Sequence, residues 1–257
     1  MIKSNSDSDS GVKEIKRNDK NVSIAAIAAE SNENVINDKN IRPNKFSDII
    51  GRESEKKALS MMISSAKKRD EPLDHILFYG PPGLGKTTFA VSIANEVGTS
   101  IRVTSGPAIE RQGDLAAILT NLKPHEILFI DEIHRLPRAV EEILYPAMED
   151  KVLDIVMGKG PSAKTLRINL EPFTLVGATT QIGKLSSPMR DRFGLVQRLD
   201  YFNNDDLVNI LVRASNLWGM KYSPESLLSI AQRSRGTARI AIRLLKRVRD
   251  FAQSEVG

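Results

Sequence analysis

Nine consecutive residues, Gly80-Pro81-Pro82-Gly83-Leu84-Gly85-Lys86-Thr87-Thr88, have the types and spacing needed to hold a polyphosphate. Glycines let the backbone approach phosphate oxygens closely, and successive N–H groups at a helix start point at the anion. Lys86 can reach the outer phosphates, and the Thr87 hydroxyl can hold Mg²⁺. A chance Gly/Pro turn would account for the glycines but not for the Lys-Thr pair that follows them. A second group, Asp131-Glu132, closes the apolar run Ile127-Leu128-Phe129-Ile130. In that place Asp131 would orient Mg²⁺, directly or through water, and Glu132 would polarise the water that attacks a γ-phosphate. The plainer reading of Asp131 is a cap for the next helix. A third run, Phe173 to Thr180, ends in the hydroxyls of Thr179 and Thr180, where a sensor of nucleotide state belongs.

Elements with definite periods must position these groups. His75 to Tyr79 reads as a buried strand entering the loop, and Phe89 to Val97 continues it as a helix with apolar residues at helical spacing. Ser100 to Thr104 is a second strand, a helix begins near Asp114, and Glu126 to Ile130 is apolar enough to be buried on both faces. A helix over 138–148 follows, then two alternating runs, Val152 to Met157 and Thr165 to Leu170, around Gly158-Lys159-Gly160-Pro161. These form a hairpin, either packed on its own domain or offered to a partner. Phe173 to Thr180 and Leu195 to Leu199 complete five strands in βαβα alternation, so the fold class is α/β with a five-stranded parallel sheet. A helix over 53–68 precedes the sheet. Beyond Asn204 the chain is wholly helical, over 205–218, 224–233 and 237–253.

Two arginines fall beside these elements. Arg192, in Pro188 to Gly194, is either surface charge or a finger reaching a neighbouring subunit's nucleotide. Arg239 heads a row with Arg243 and Arg247; such a row is usually a solvated face, but Arg239 follows Gly236-Thr237, where it could lean over the nucleotide from a small lid.

The bulk properties leave this reading open and close others. With 257 residues, 40% hydrophobic and 27% charged, the chain is an ordinary globular protein of one or two domains. No run approaches the roughly eighteen apolar residues of a membrane span. The acidic Asp7, Asp9, Glu14 and Asp19 argue against a transit peptide. Absence of cysteine excludes disulfides and thiolate metal sites and fits a reducing compartment. A net charge of +5 permits nucleic-acid contact without demanding it. Residues 1 to about 40, rich in Ser, Asn, Asp and Lys, are expected to be a disordered tail.

From about residue 41 onward the chain resembles the RuvB family of bacterial AAA+ ATPases, which drive Holliday-junction branch migration. The resemblance rests on Gly80 to Thr88, Thr104 to Pro107, Gly113 to Ala117, Leu128 to Arg135, Tyr145 to Asp150, Gly177 to Thr180, Ser187 to Gly194 and Arg235 to Asp250. It implies a large ATPase domain over 41–203 and an all-helical lid over 204–257. It implies adenine contacts from Ile41 and Arg42, and contacts of ATP and Mg²⁺ with Gly83, Lys86, Thr87 and Thr88. It places Glu149, Asp150 and Lys151 near a subunit boundary, makes Arg192 the finger and makes Arg239 a second sensor. It implies a cytoplasmic hexameric ring acting on Holliday junctions and duplex DNA, docked to RuvA through the hairpin at about 152–170, with RuvC as a further candidate partner and no membrane.

Three features depart from the family. Phe202 stands where the family generally has Tyr, keeping an aromatic face for the base or lid without its hydroxyl. Ala238 stands where a proline is usual before Arg239. The 257 residues end just after the lid, so the winged-helix domain that grips DNA is expected to be missing. Two further readings therefore stand beside the motor: a nucleotide-binding scaffold or inhibitor that does not translocate DNA, and a clamp-loader-like ATPase, which lacks Tyr145 to Asp150 and the long hairpin.

Overall fold

The computed structural model describes residues 41–157 and 164–255. The N-terminal tail and the hairpin turn at 158–163 lie outside the described residues. Ile41 belongs to an N-terminal unit, and Arg42–Gly257 forms a second compact unit.

In the second unit, helix α1 (Glu53–Arg69) leads to strand β1 (Ile76–Tyr79) and helix α2 (Lys86–Val97). Strand β2 (Ile101–Ser105), helix α3 (Gln112–Thr120), strand β3 (Ile127–Asp131) and helix α4 (Arg138–Glu149) follow. Strands β4 (Val152–Met157) and β5 (Lys164–Asn169) pair with each other. Strand β6 (Thr174–Thr179), the single turn α5 (Ser187–Arg190) and strand β7 (Leu195–Arg198) close the α/β part. Helices α6 (Asn204–Leu217), α7 (Pro224–Arg233) and α8 (Ala238–Glu255) end the chain. Most of these bounds lie within two residues of the predicted ones; α2 starts three residues earlier than predicted, at Lys86, and the helix of 188–194 is the single turn α5.

Five strands form one parallel sheet in the order β2-β3-β6-β1-β7. Period-two alternation sends successive side chains to opposite faces, so the apolar strands feed two cores. Leu77, Leu128, Ile130 and Leu175 face Leu115, Leu119, Val140 and Leu144 from α3 and α4. Ile76, Phe78, Ile127, Phe129, Val176 and Ala178 face Leu59 and Ile63 of α1 and Phe89 and Ile93 of α2. Burial on both faces explains why β3 and β6 carry no alternating polar residues.

The hairpin is antiparallel, with Leu153 opposite Ile168 and Ile155 opposite Leu166. Its base does not project: Leu153 and Leu170 are buried in the first core, and Ile155 and Ile168 pack on it. Leu166, further out, is 45% exposed. Own-domain packing therefore claims the base, and only the distal part offers apolar surface. Among the described residues no helix is long and apolar enough to cross a membrane.

His75, just before β1, ties the two layers together. Its Nε2–H donates to the Met148 carbonyl at 3.1 Å, and its Nδ1 accepts the Leu175 N–H at 2.9 Å. Burial pushes its pKa down from 6.5 to about 4, assisted by the Lys151 charge and opposed by the Met148 bond. The folded state thus holds the imidazole neutral while the unfolded chain protonates it. The contribution is complete above pH 6.5 and is lost as pH falls towards 4, amounting to about 3 kcal/mol at the acid end. Urea midpoints measured from pH 7.5 to 4.5 are expected to fall more steeply for the wild type than for His75→Asn, which cannot titrate. Parallel slopes would refute the assignment.

Candidate nucleotide site

Sheet order assembles the site. Because β6 lies between β1 and β3, its carboxyl end sits between the loop that follows β1 and the acidic pair that follows β3. Residues 80, 131–132 and 180, far apart in sequence, emerge side by side where open α/β sheets bind ligands.

Gly80 and Gly83 occupy positions where a side chain has no room. A Cβ at Gly80, with φ +141°, would stand 2.3 Å from the Leu199 carbonyl oxygen. One at Gly83, with φ +79°, would meet Thr237 Cγ2 at 2.7 Å and Arg239 Cβ at 2.8 Å. The loop therefore lies directly against the start of β7's exit and the start of α8. Gly85 begins α2 in the left-handed conformation, with no side-chain cap and no acidic residue in the first turn. Uncapped N–H groups at the positive end of a twelve-residue helix make a ready anion site.

Lys86 is 7% exposed, and its ammonium donates to the Gly80 and Pro81 carbonyls at 2.7 and 2.8 Å. Burial lowers its pKa, while the charges of Asp131 and Glu132 raise it and that of Arg239 lowers it. Loop lysine, acidic pair and α8 arginine therefore share one electrostatic site. Thr87 and Thr88 are half-buried in the first turn of α2.

Asp131 is half-buried at the end of β3, and its Oδ1 accepts the Glu132 N–H at 3.0 Å. Glu132 itself lies in the left-handed region at φ 49°, ψ 46°. The Thr180 hydroxyl donates to Glu132 Oε2 at 3.0 Å. Among the described residues no cluster of three or more His, Cys, Asp or Glu could hold a metal alone. The Thr87 hydroxyl and the Asp131 carboxylate are hard oxygen donors. They fit an ion such as Mg²⁺, which keeps several waters and takes only one or two protein ligands beside phosphate.

Arg192 is folded back on its own subunit. Its guanidinium donates to the Pro188 carbonyl at 2.7 Å and to Glu149 Oε2 at 3.0 Å, and lies 4.5 Å from the centre of the Tyr145 ring. Tyr145 is held in turn by Glu141, to which its hydroxyl donates at 3.3 Å, and by Ser186 at 3.0 Å. Glu149 and Asp150 are exposed. Lys151 instead turns inward, donating to the Met148 carbonyl and standing 5.6 Å from the Phe173 ring.

Arg239 donates its N–H to the Gly83 carbonyl at 3.4 Å, and its side chain is exposed. Phe202, half-buried, packs on the second core, and its N–H donates to the Gly236 carbonyl at 2.9 Å. Arg42 is exposed and Ile41 is buried.

Three residues around the site were not singled out from sequence. His134 contacts both Glu132 and Thr179, at 3.2 and 2.9 Å. Tyr145 lies one helical turn before Glu149, a spacing that puts both on one face of α4, and that spacing was a readable signal. Arg52, in the left-handed region at φ 62°, stacks 4.4 Å over the Phe202 ring, pairs with Glu55 at 3.4 Å and donates to the Asp200 carbonyl. Nothing in the sequence near Arg52 points to the stacking on Phe202, since Phe202 and Asp200 lie about 150 residues away.

Comparison with known proteins agrees with this geometry. A family model described as the Holliday junction DNA helicase RuvB P-loop domain matches residues 41–199, and one described as the RuvB AAA lid domain matches residues 202–256. Among solved structures, the Thermotoga maritima RuvB Holliday junction branch migration motor is 50% identical, with a TM-score of 0.76. The match covers 84% of this chain and 68% of that one. Two single-substitution variants of the same Thermotoga maritima protein, over the same coverage, give TM-scores of 0.77 and 0.75 at 50% and 49% identity.

Proposed function

We propose, from the premise that this chain belongs to the RuvB family, that it is an ATP-hydrolysing subunit of a ring that drives branch migration at four-way DNA junctions. The observation that carries the reading is the meeting of Lys86, Asp131, Glu132 and Thr180 beside the uncapped start of α2. In that arrangement ATP phosphates take over from the Gly80 and Pro81 carbonyls as partners of Lys86. Thr87 and Asp131 hold Mg²⁺, which screens phosphate charge when bound. Glu132 orients the attacking water, and Thr180 ties that carboxylate to the sheet edge facing the γ-phosphate. Arg42 and Phe202 are assigned to the adenine.

Arg192 reaches the neighbouring subunit's nucleotide, leaving Glu149 and Tyr145 as it does so. Residues 204–257 act as the lid, with Arg239 reporting the nucleotide to it through Gly83. RuvA docks on the distal hairpin, where Leu166 is exposed.

The test is Mg-dependent phosphate release by the purified chain, with and without a synthetic four-way junction and RuvA, followed by migration of that junction. Turnover stimulated by junction and RuvA, with strand exchange, is expected. ATP binding without turnover would instead favour a scaffold that docks partners without moving DNA.

A further inference from the structure

Glu132 needs a restraint that its own backbone does not supply. Its left-handed conformation is costly for a residue with a side chain, and the flexible side chain must still present one carboxylate orientation to water. Two groups address the same oxygen, Oε2: the Thr180 hydroxyl donates to it at 3.0 Å, and His134 Nδ1 stands 3.2 Å from it. The same Nδ1 lies 2.9 Å from the Thr179 hydroxyl oxygen, which also accepts the Gln181 N–H at 3.0 Å. A carboxylate 3.2 Å from a ring nitrogen requires hydrogen on that nitrogen, so the proton belongs on Nδ1. One N–H thus faces two acceptors from two strands' ends, Glu132 after β3 and Thr179 on β6.

The imidazole side chain is only 5% exposed, and burial favours its neutral form, helped by Lys184 and Arg135 and opposed by Glu132. Neutrality matters chemically. A full cation here would hold Glu132 in an ion pair and weaken it as an acceptor for the water's hydrogen. A neutral N–H can restrain the carboxylate and release it.

We propose that His134 is a positioning residue for Glu132, whose Nδ1–H is shared between the Glu132 carboxylate and the Thr179 hydroxyl. It aligns the carboxylate with Thr180, and when the carboxylate turns to water the N–H keeps Thr179 as its partner, so no buried donor is orphaned. This rests on the reading of Glu132 as the group that orients the attacking water.

Two measurements test it. The chain has three histidines, so ¹⁵N NMR of the imidazoles at pH 7.5 is tractable. His75, which donates from Nε2 and accepts at Nδ1, is an internal reference of the opposite tautomer. His134 is expected as the Nδ1–H form; an Nε2–H form overturns the proposal. In steady-state ATP hydrolysis, His134→Ala is expected to lower kcat about tenfold or more with KM within about twofold. His134→Asn, whose side-chain amide can place an N–H where Nδ1 stands, is expected to recover most of that loss. An unchanged kcat in His134→Ala, a KM that moves with kcat, or failure of Asn to rescue each overturns it. A wild-type chain with no turnover would overturn the ATPase reading itself and this inference with it, whereas wild-type turnover beside an unaffected His134→Ala overturns the inference alone.

Discussion

Lys86→Ala abolishes ATP turnover to within the background of the assay, a loss of about 10²–10³-fold or more, while the chain remains folded. The lysine is the only cation that the loop itself carries, and its ammonium already sits between two carbonyls that mark where phosphate oxygens compete for it. Burial works against its charge, and Asp131 and Glu132 work for it. Removing the ammonium therefore leaves the two carboxylates facing incoming phosphates with their nearest counter-charge gone. Nucleotide affinity falls together with turnover, since the lysine bears on ground state and transition state alike. Phosphate-release rates and equilibrium binding of a fluorescent ATP analogue check both; turnover within tenfold of the wild type would refute the assignment of the loop.

Arg192→Ala is expected to lower turnover of the assembled protein by about 10³-fold or more, the range of a transition-state arginine, while each subunit's own affinity for ATP stays within about threefold of the wild type. The asymmetry follows from placement. Arg192 is engaged with Pro188, Glu149 and Tyr145, whereas the charges that act on Lys86 are Asp131, Glu132 and Arg239. A residue supplied by the next subunit also predicts complementation. Mixing Arg192→Ala with Glu132→Gln, each inactive alone, creates interfaces pairing an intact Glu132 with an intact Arg192. Random equal mixing in a head-to-tail ring yields about one such interface in four. Partial recovery of phosphate release on mixing is the expected result. No recovery, with mixed assembly demonstrated by tagged subunits, would show that Arg192 acts only within its own chain.

What the sequence made legible and what it left dark divide along a physical line. The loop from Gly80 to Thr88 could be read because its function depends on contiguous backbone and on a helix that starts there. Asp131 and Glu132 could be read because an apolar run announces where its strand must end. Apolar runs without polar breaks marked the central strands of the sheet, because a strand buried on both faces has no polar side to show. Arg192 was legible as a candidate but its home partners were not, because Glu149 lies 43 residues away and only the packing of α5 against α4 joins them. His134 escaped for a similar reason, since its meaning depends on Thr179, 45 residues on. For the hairpin, alternation alone could not tell which apolar residues are claimed by the core, and Leu153 and Leu166 had the same appearance until packing separated them. The inward turn of Lys151, whose left-handed backbone at φ 56° lets its ammonium donate to the Met148 carbonyl, is likewise a matter of local conformation that residue type does not announce.

The missing side chain at Gly83 has a mechanical consequence. With nothing projecting from Gly83, Thr237 and Arg239 at the start of α8 rest on the loop backbone there, so no side chain of that residue lies between the loop and the last helix. That helix has 18 residues and spans about 27 Å at 1.5 Å per residue. A tilt imposed at one end of such a rod would displace the other end by an amount that grows with its length. On the proposed reading, Gly83 would be the fulcrum of a lever, with the length of α8 setting its mechanical advantage.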